Sequence, residues 1–168
     1  RVWGARAWGG AFRGALIATL AWIVASKLLI LYVTEYGDLA KTYGPLGAVE
    51  AIREWVSDRF TYAPGSSDAH TTALDSFVER RGICRDFAHV VISLARASTI
   101  PARYVACYGP DVSPQDFHAV AEVFLHDPES KDGGTWQLVD ATGMARADEI
   151  VKIGVGRDAA DVSFLTSF

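Results

Sequence analysis

The stretch Arg80-Arg81-Gly82-Ile83-Cys84-Arg85-Asp86-Phe87-Ala88-His89-Val90-Val91 sets the reading of this chain. A glycine stands two residues before the cysteine, an aspartate two residues after it, and an apolar run at helical spacing follows. This is the pattern of a loop that delivers a thiol to the first turn of a helix. The first turn has N–H groups without intrahelical partners and carries a partial positive charge. Both favour thiolate over thiol, so Cys84 is a candidate nucleophile. Asp86 has an ordinary use there as a favourable first-turn charge.

Outward from that helix the punctuation is clear. The Cys84 helix is expected to run to about Ser98, with Phe87, Val91, Leu94 and Ala95 inward and Pro101 beyond its end. Upstream, Val49, Ile52, Trp55 and Val56 predict a helix over Leu46–Arg59, and Phe60–Asp68 reads as a short extended piece entering a turn. A short helix is expected over Thr72–Arg80, with Leu74, Phe77 and Val78 inward and Gly82 as its left-handed cap. Downstream the period changes to two, giving strands at Arg103–Tyr108, His118–Leu125 and Thr135–Asp140, separated by Gly109–Gln115 and His126–Gly134. Antiparallel strands after helices make the expected fold class α+β, with the sheet packed on the Cys84 helix.

The chain has 168 residues, half of them hydrophobic and 21% charged, which suits one globular domain. A net charge of −4 with 16 scattered Lys and Arg residues gives no nucleic-acid-binding surface. There is no P-loop, dinucleotide fingerprint, Cys-x-x-Cys pair or internal repeat. Of the two cysteines, Cys107 lies in the alternating run Ala102–Tyr108 and reads as a buried strand residue rather than a disulfide partner. Residues 1–44 form an N-terminal segment apart from the expected domain at 45–168. Within it, Gly14–Val33 carries one charge, Lys27, and is long enough to span a bilayer. Its aliphatic residues favour insertion by roughly 3–6 kcal/mol and Lys27 opposes it by about 3. A buried helix is the favoured reading over a membrane anchor, and a cytoplasmic location over an anchored or exported one. The first residue is Arg1 rather than Met, the start expected of a fragment.

A cysteine nucleophile needs a base, and the base an orienting partner. Of the four histidines, His89 is five residues beyond Cys84 on the same helix and points about 140° away. His70 and His126 read as surface residues. His118 opens a strand that places it on one face with Val120, Glu122 and Phe124. The next strand carries Trp136, Leu138 and Asp140 on one face. A hairpin pairing His118 with Asp140 would also pair Glu122 with Trp136, and would let Asp140 hold the imidazole while its other nitrogen faces Cys84. On spacing alone, a strand-end surface histidine and a turn-initiating aspartate are the plainer alternatives for these two. The Cys84 N–H is an orphan donor suited to an oxyanion.

Taken in order, Tyr62-Ala-Pro-Gly-Ser-Ser-Asp68, Gly82-Ile-Cys84-Arg-Asp-Phe-Ala-His89, Ile100-Pro-Ala-Arg-Tyr104, Asp116-Phe-His118-Ala119 and Asp140-Ala-Thr142 resemble the transglutaminase-like superfamily, as does the closing run Gly154–Val162. The resemblance covers roughly residues 45–168. It implies a papain-like fold with Cys84 as nucleophile, His118 as base and Asp140 as its orienting partner. It also implies acyl transfer on amide or peptide bonds of a protein or peptide substrate, by a protease, amidase or transglutaminase, with no metal or organic cofactor. A non-catalytic peptide-binding domain and a membrane-anchored accessory domain are the alternatives. Ala119-Val120 departs from the Ala-Trp often found in relatives, a difference that bears on the substrate groove.

Overall fold

The computed structural model describes residues 39–162, with side chains from Gly44 onward. The apolar run 14–33 lies outside the described residues. Among the described residues no helix is long and apolar enough to cross a membrane.

Helix α1 (Leu39–Arg59) is two helical pieces joined at a kink. Gly44 sits there at φ 72°, a left-handed conformation open to glycine. Pro45 then starts the second piece, where its missing N–H costs no helical bond. Val49, Ile52 and Val56 of that piece are buried, on the face the spacing predicts. A two-residue strand β1 (Thr61–Tyr62) follows, then α2 (Ala73–Glu79) and a second two-residue strand, β2 (Arg81–Gly82). β1 and β2 pair in parallel, Tyr62 beside Gly82.

Two expectations for α2 need correction. Its residues Leu74 and Val78 are 68% and 71% exposed, whereas Ser76 is buried. In a helix this short, orientation is set by one anchor, the stacking of Phe77 on Trp55 at 5.6 Å. The left-handed cap is Arg80 (φ 57°), not Gly82. The cost of that conformation is offset where the Arg80 guanidinium lies 4.4 Å from the Trp55 ring centre and 4.3 Å from that of Phe77. Gly82 is required for another reason: a Cβ there would fall 2.5 Å from Cβ of Asp86.

Helix α3 (Cys84–Ala97) starts on the cysteine and ends within one residue of expectation. It packs on one face of a four-stranded antiparallel sheet ordered β5-β4-β3-β6, built from β3 (Ala102–Tyr108), β4 (Phe117–His126), β5 (Gly134–Val139) and β6 (Val151–Gly156). The main core unites Phe87, Val90 and Val91 of α3 with Tyr104, Ala119, Ala121 and Val123 of the sheet. Small alanines at the sheet centre let the helix approach closely. Val105, Cys107 and Val120 form a second apolar cluster. The fold class is therefore α+β, as the change of period predicts.

The β4–β5 hairpin lies two residues from the expected register. Glu122 stands opposite Leu138, not Trp136, and β5 ends at Val139 before Asp140 is reached. Pairing continues to Gly134, which has no Cβ to strike the Phe124 ring. The loop then closes on itself through Ser130, whose hydroxyl donates to the Gly134 carbonyl at 2.9 Å. A shift of two preserves the faces, because side chains alternate with that period. Strand β6 has no counterpart in the sequence reading. Its apolar residues Val151, Ile153 and Val155 alternate, but Gly154 and Gly156 weaken the signal.

Candidate active site

Cys84 occupies the first position of α3, after an extended Ile83 cap. Three interactions hold the loop before it. The Ala63 N–H donates to the Gly82 carbonyl at 2.9 Å, completing the β1–β2 pairing. The carboxylate of Asp86 accepts from the Ile83 N–H at 2.8 Å and from the Ser67 hydroxyl at 2.5 Å. Its other oxygen accepts from the Arg85 guanidinium at 2.9 Å. Asp86 is thus more than a first-turn charge. It is a buried tie between the 63–72 loop, the turn and the helix.

His118 and Asp140 meet. The His118 Nε2 lies 2.9 Å from Asp140 Oδ2, with the two side chains 1% and 5% exposed. In the register observed, this contact is diagonal across the hairpin rather than directly opposed. It forms because Asp140 lies past the strand end, in a turn that fills its remaining lone pairs. The Thr142 N–H and hydroxyl donate to Oδ1 at 2.8 and 2.7 Å, and the Ala145 N–H donates to Oδ2 at 2.9 Å. Burial favours the neutral acid, but these bonds and the His118 charge outweigh it and hold the carboxyl below its usual range. Burial likewise opposes a charged His118. Hydrogen bonds to Asp140 and to Cys84, with the charges on both, overcome it and raise the imidazole from 6.5 to about 9. Nε2 is taken by Asp140, which leaves Nδ1 for the thiol.

The three residues picked out by sequence are therefore brought together. The other histidines are elsewhere. His89 Nε2 accepts the Ala159 N–H at 3.2 Å, His126 Nδ1 bonds its own loop at Gly133, and His70 is exposed. Cys107 is buried directly opposite His118 on β3, and burial pushes its thiol up to about 12. A cleft of about 200 Å³ is lined by Cys84, Tyr104, Phe117, His118, Ala159 and Val162.

Sequence reasoning gave no role to Tyr62. Its phenol neighbours Cys84, and its ring leans on Phe87 at 6.0 Å. Burial, then the Cys84 charge, raises its pKa. Nor did alternation reveal the cluster at Glu122. That carboxylate is 0% exposed, bonded to Arg103 at 2.7 Å and paired with Lys152. It pins β4 to β3 and β6. Among the described residues no three His, Cys, Asp or Glu side chains are arranged to hold a metal ion.

An α+β core with a cysteine at the start of a helix, facing a strand-borne histidine, defines the class of fold. The family is the transglutaminase-like superfamily, to which this chain belongs: its core model matches residues 37–141, a span containing Cys84, His118 and Asp140. An uncharacterized protein of Mycobacterium leprae is 31% identical over 126 residues, covering 74% of this chain and 45% of that protein. One of Mycobacterium tuberculosis is 32% identical over 127 residues, covering 68% and 40%. Among solved structures, a "putative cysteine protease" from Cytophaga hutchinsonii is 39% identical with a TM-score of 0.66, covering 82% of this chain and 44% of that one. The chain thus spans less than half the length of these relatives.

Proposed function

We propose that this domain catalyses thiol-dependent acyl transfer on a carboxamide or peptide bond. Cys84 attacks the carbonyl carbon, and the carbonyl oxygen takes the charge beside the Cys84 N–H and the Tyr62 hydroxyl. Protonated His118 donates to the leaving amine, and Asp140 keeps the ring in the tautomer and orientation this requires. Water or a second amine then releases the thioester. The observation that carries the reading is His118, bonded through Nε2 to a four-donor carboxylate and lining one cleft with a helix-borne thiol. The fold family and the cysteine-protease description of the Cytophaga hutchinsonii protein support it.

The test compares the parent with Cys84→Ala on casein, with and without a fluorescent primary amine. New N-termini without amine incorporation indicate a hydrolase; labelled casein indicates a transglutaminase. Equal product from parent and variant would remove the proposal.

A further inference from the structure

A larger cavity adjoins the cleft. It holds about 600 Å³, and Ala159 lines both spaces. One wall is a face of α3. Arg85, His89 and Arg96 stand four and seven residues apart along the helix, which brings all three within about 40° of one another around its axis. They extend over roughly 16 Å from the thiol's own turn toward the helix end. Arg157 and Asp158 also line the cavity.

Arg85, Arg96 and Arg157 line this basin together with Asp158. Arg85 is paired with Asp86, and Arg157 with Asp158 and Asp161, so Arg96 is the lining cation that no described carboxylate pairs with. Arg96 spends its Nε and Nη2 protons on the carbonyl oxygens of Ala102 and Arg157, at 2.9–3.1 Å. Those acceptors are neutral, so no carboxylate compensates its charge. The bonds of Arg85 to Asp86 also use Nε and Nη2, so each of these two groups keeps Nη1 beyond those bonds. Burial, then the Arg85 charge, holds the His89 pKa below the usual range against the charges of Asp86 and Asp158, and its Nε2 accepts the Ala159 N–H.

We infer that this basin is a carboxylate subsite, which receives an acidic group of the substrate whose carbonyl lies at Cys84. The inference rests on the acyl-transfer reading of the cleft and names the substrate class: peptides with an acidic side chain, or a peptide C-terminus, close to the reacting bond. A guanidinium is the side chain whose donors match a carboxylate's two oxygens. Because the basin shares Ala159 with the cleft, it is a determinant of which acyl group is held.

Three alkylating probes of similar size test it on the full chain: bromoacetyl-Gly-Glu-amide, bromoacetyl-Gly-Gln-amide and bromoacetyl-Gly-Gln free acid. Each reacts by the same displacement, an S–C bond forming at Cys84 as bromide leaves. At low salt and pH 7.5, a carboxylate probe should modify Cys84 about fivefold faster than the neutral amide, the factor of one partly solvated charge pair. Preference for the Glu amide identifies a side-chain carboxylate; preference for the free acid identifies a C-terminus. Arg96→Gln should abolish the preference. Asp158→Asn, at a half-buried position outside the core, should enlarge it and so guards against a variant that merely misfolds. Equal rates for all three probes, or a preference unchanged in both variants, would overturn the subsite. A Cys84 that alkylates no faster than Cys107 counts against the acyl-transfer reading instead. The probe ratio is measurable at any absolute rate, so the two failures are distinguishable.

Discussion

Replacing Asp140 by Asn keeps the side chain's shape and removes its charge. In the parent, the Asp140 hydrogen bond and charge are among the forces that lift His118 from 6.5 to about 9 against burial. That displacement corresponds to roughly 3 kcal/mol between the two protonation states. In Asp140→Asn the burial penalty persists and the opposing carboxylate is gone, leaving only Cys84 to favour the charged ring. The His118 pKa should fall by about 2 pH units, within the range a single neighbouring charge produces. A buried group whose pKa is raised on folding adds stability fully present below its unfolded value. That stability is lost as pH rises through the folded value. The variant should therefore be less stable by about 4 kcal/mol at pH 6. By pH 10 the deficit should shrink to about 1 kcal/mol, the worth of the altered hydrogen bonding. The assay is an NMR titration of the His118 ring, paired with urea unfolding at both pH values. A His118 pKa within half a unit of the parent's, or a deficit that does not narrow with pH, would refute the coupling.

Iodoacetamide at pH 7.5 should modify Cys84 at least about tenfold faster than Cys107, which is fully buried and has its thiol pushed up to about 12; mass spectrometry of the peptides reads the ratio, and equal rates would count against an activated thiol. Gly82→Ala should cost about 2 kcal/mol in urea unfolding and slow Cys84 alkylation, because the new methyl displaces Asp86 from the cap that positions the thiol. An unchanged alkylation rate would mean that Asp86 does not set the sulfur's position. Glu122→Gln should destabilise by about 2 kcal/mol: less than for a fully enclosed pair, because Arg103 and Lys152 are 31% and 41% exposed and keep access to water. Thermal melts of parent and variant check it, and coincident curves would show that the carboxylate does not hold the three strands together.

What the sequence determined is local in origin. Gly82, Cys84, Asp86 and Pro101 mark a helix and its ends by steric and dipolar rules acting within a few residues, so α3 is legible almost to the residue. Alternation likewise exposes β3, β4 and β5. It also puts His118 and Asp140 on one face, a property that survived a two-residue error in register because the pleat repeats every two residues. The tertiary structure decided whatever depends on partners distant in sequence. Only there does Trp55 choose which side of α2 is buried, Glu122 acquire its cations from β3 and β6, and Tyr62 reach Cys84 across the β1–β2 pair. The turn at Thr142 and Ala145 belongs to the same class. Periodicity can bring Asp140 to the correct face, but only the folded turn supplies the donors that keep its buried carboxylate charged beside His118.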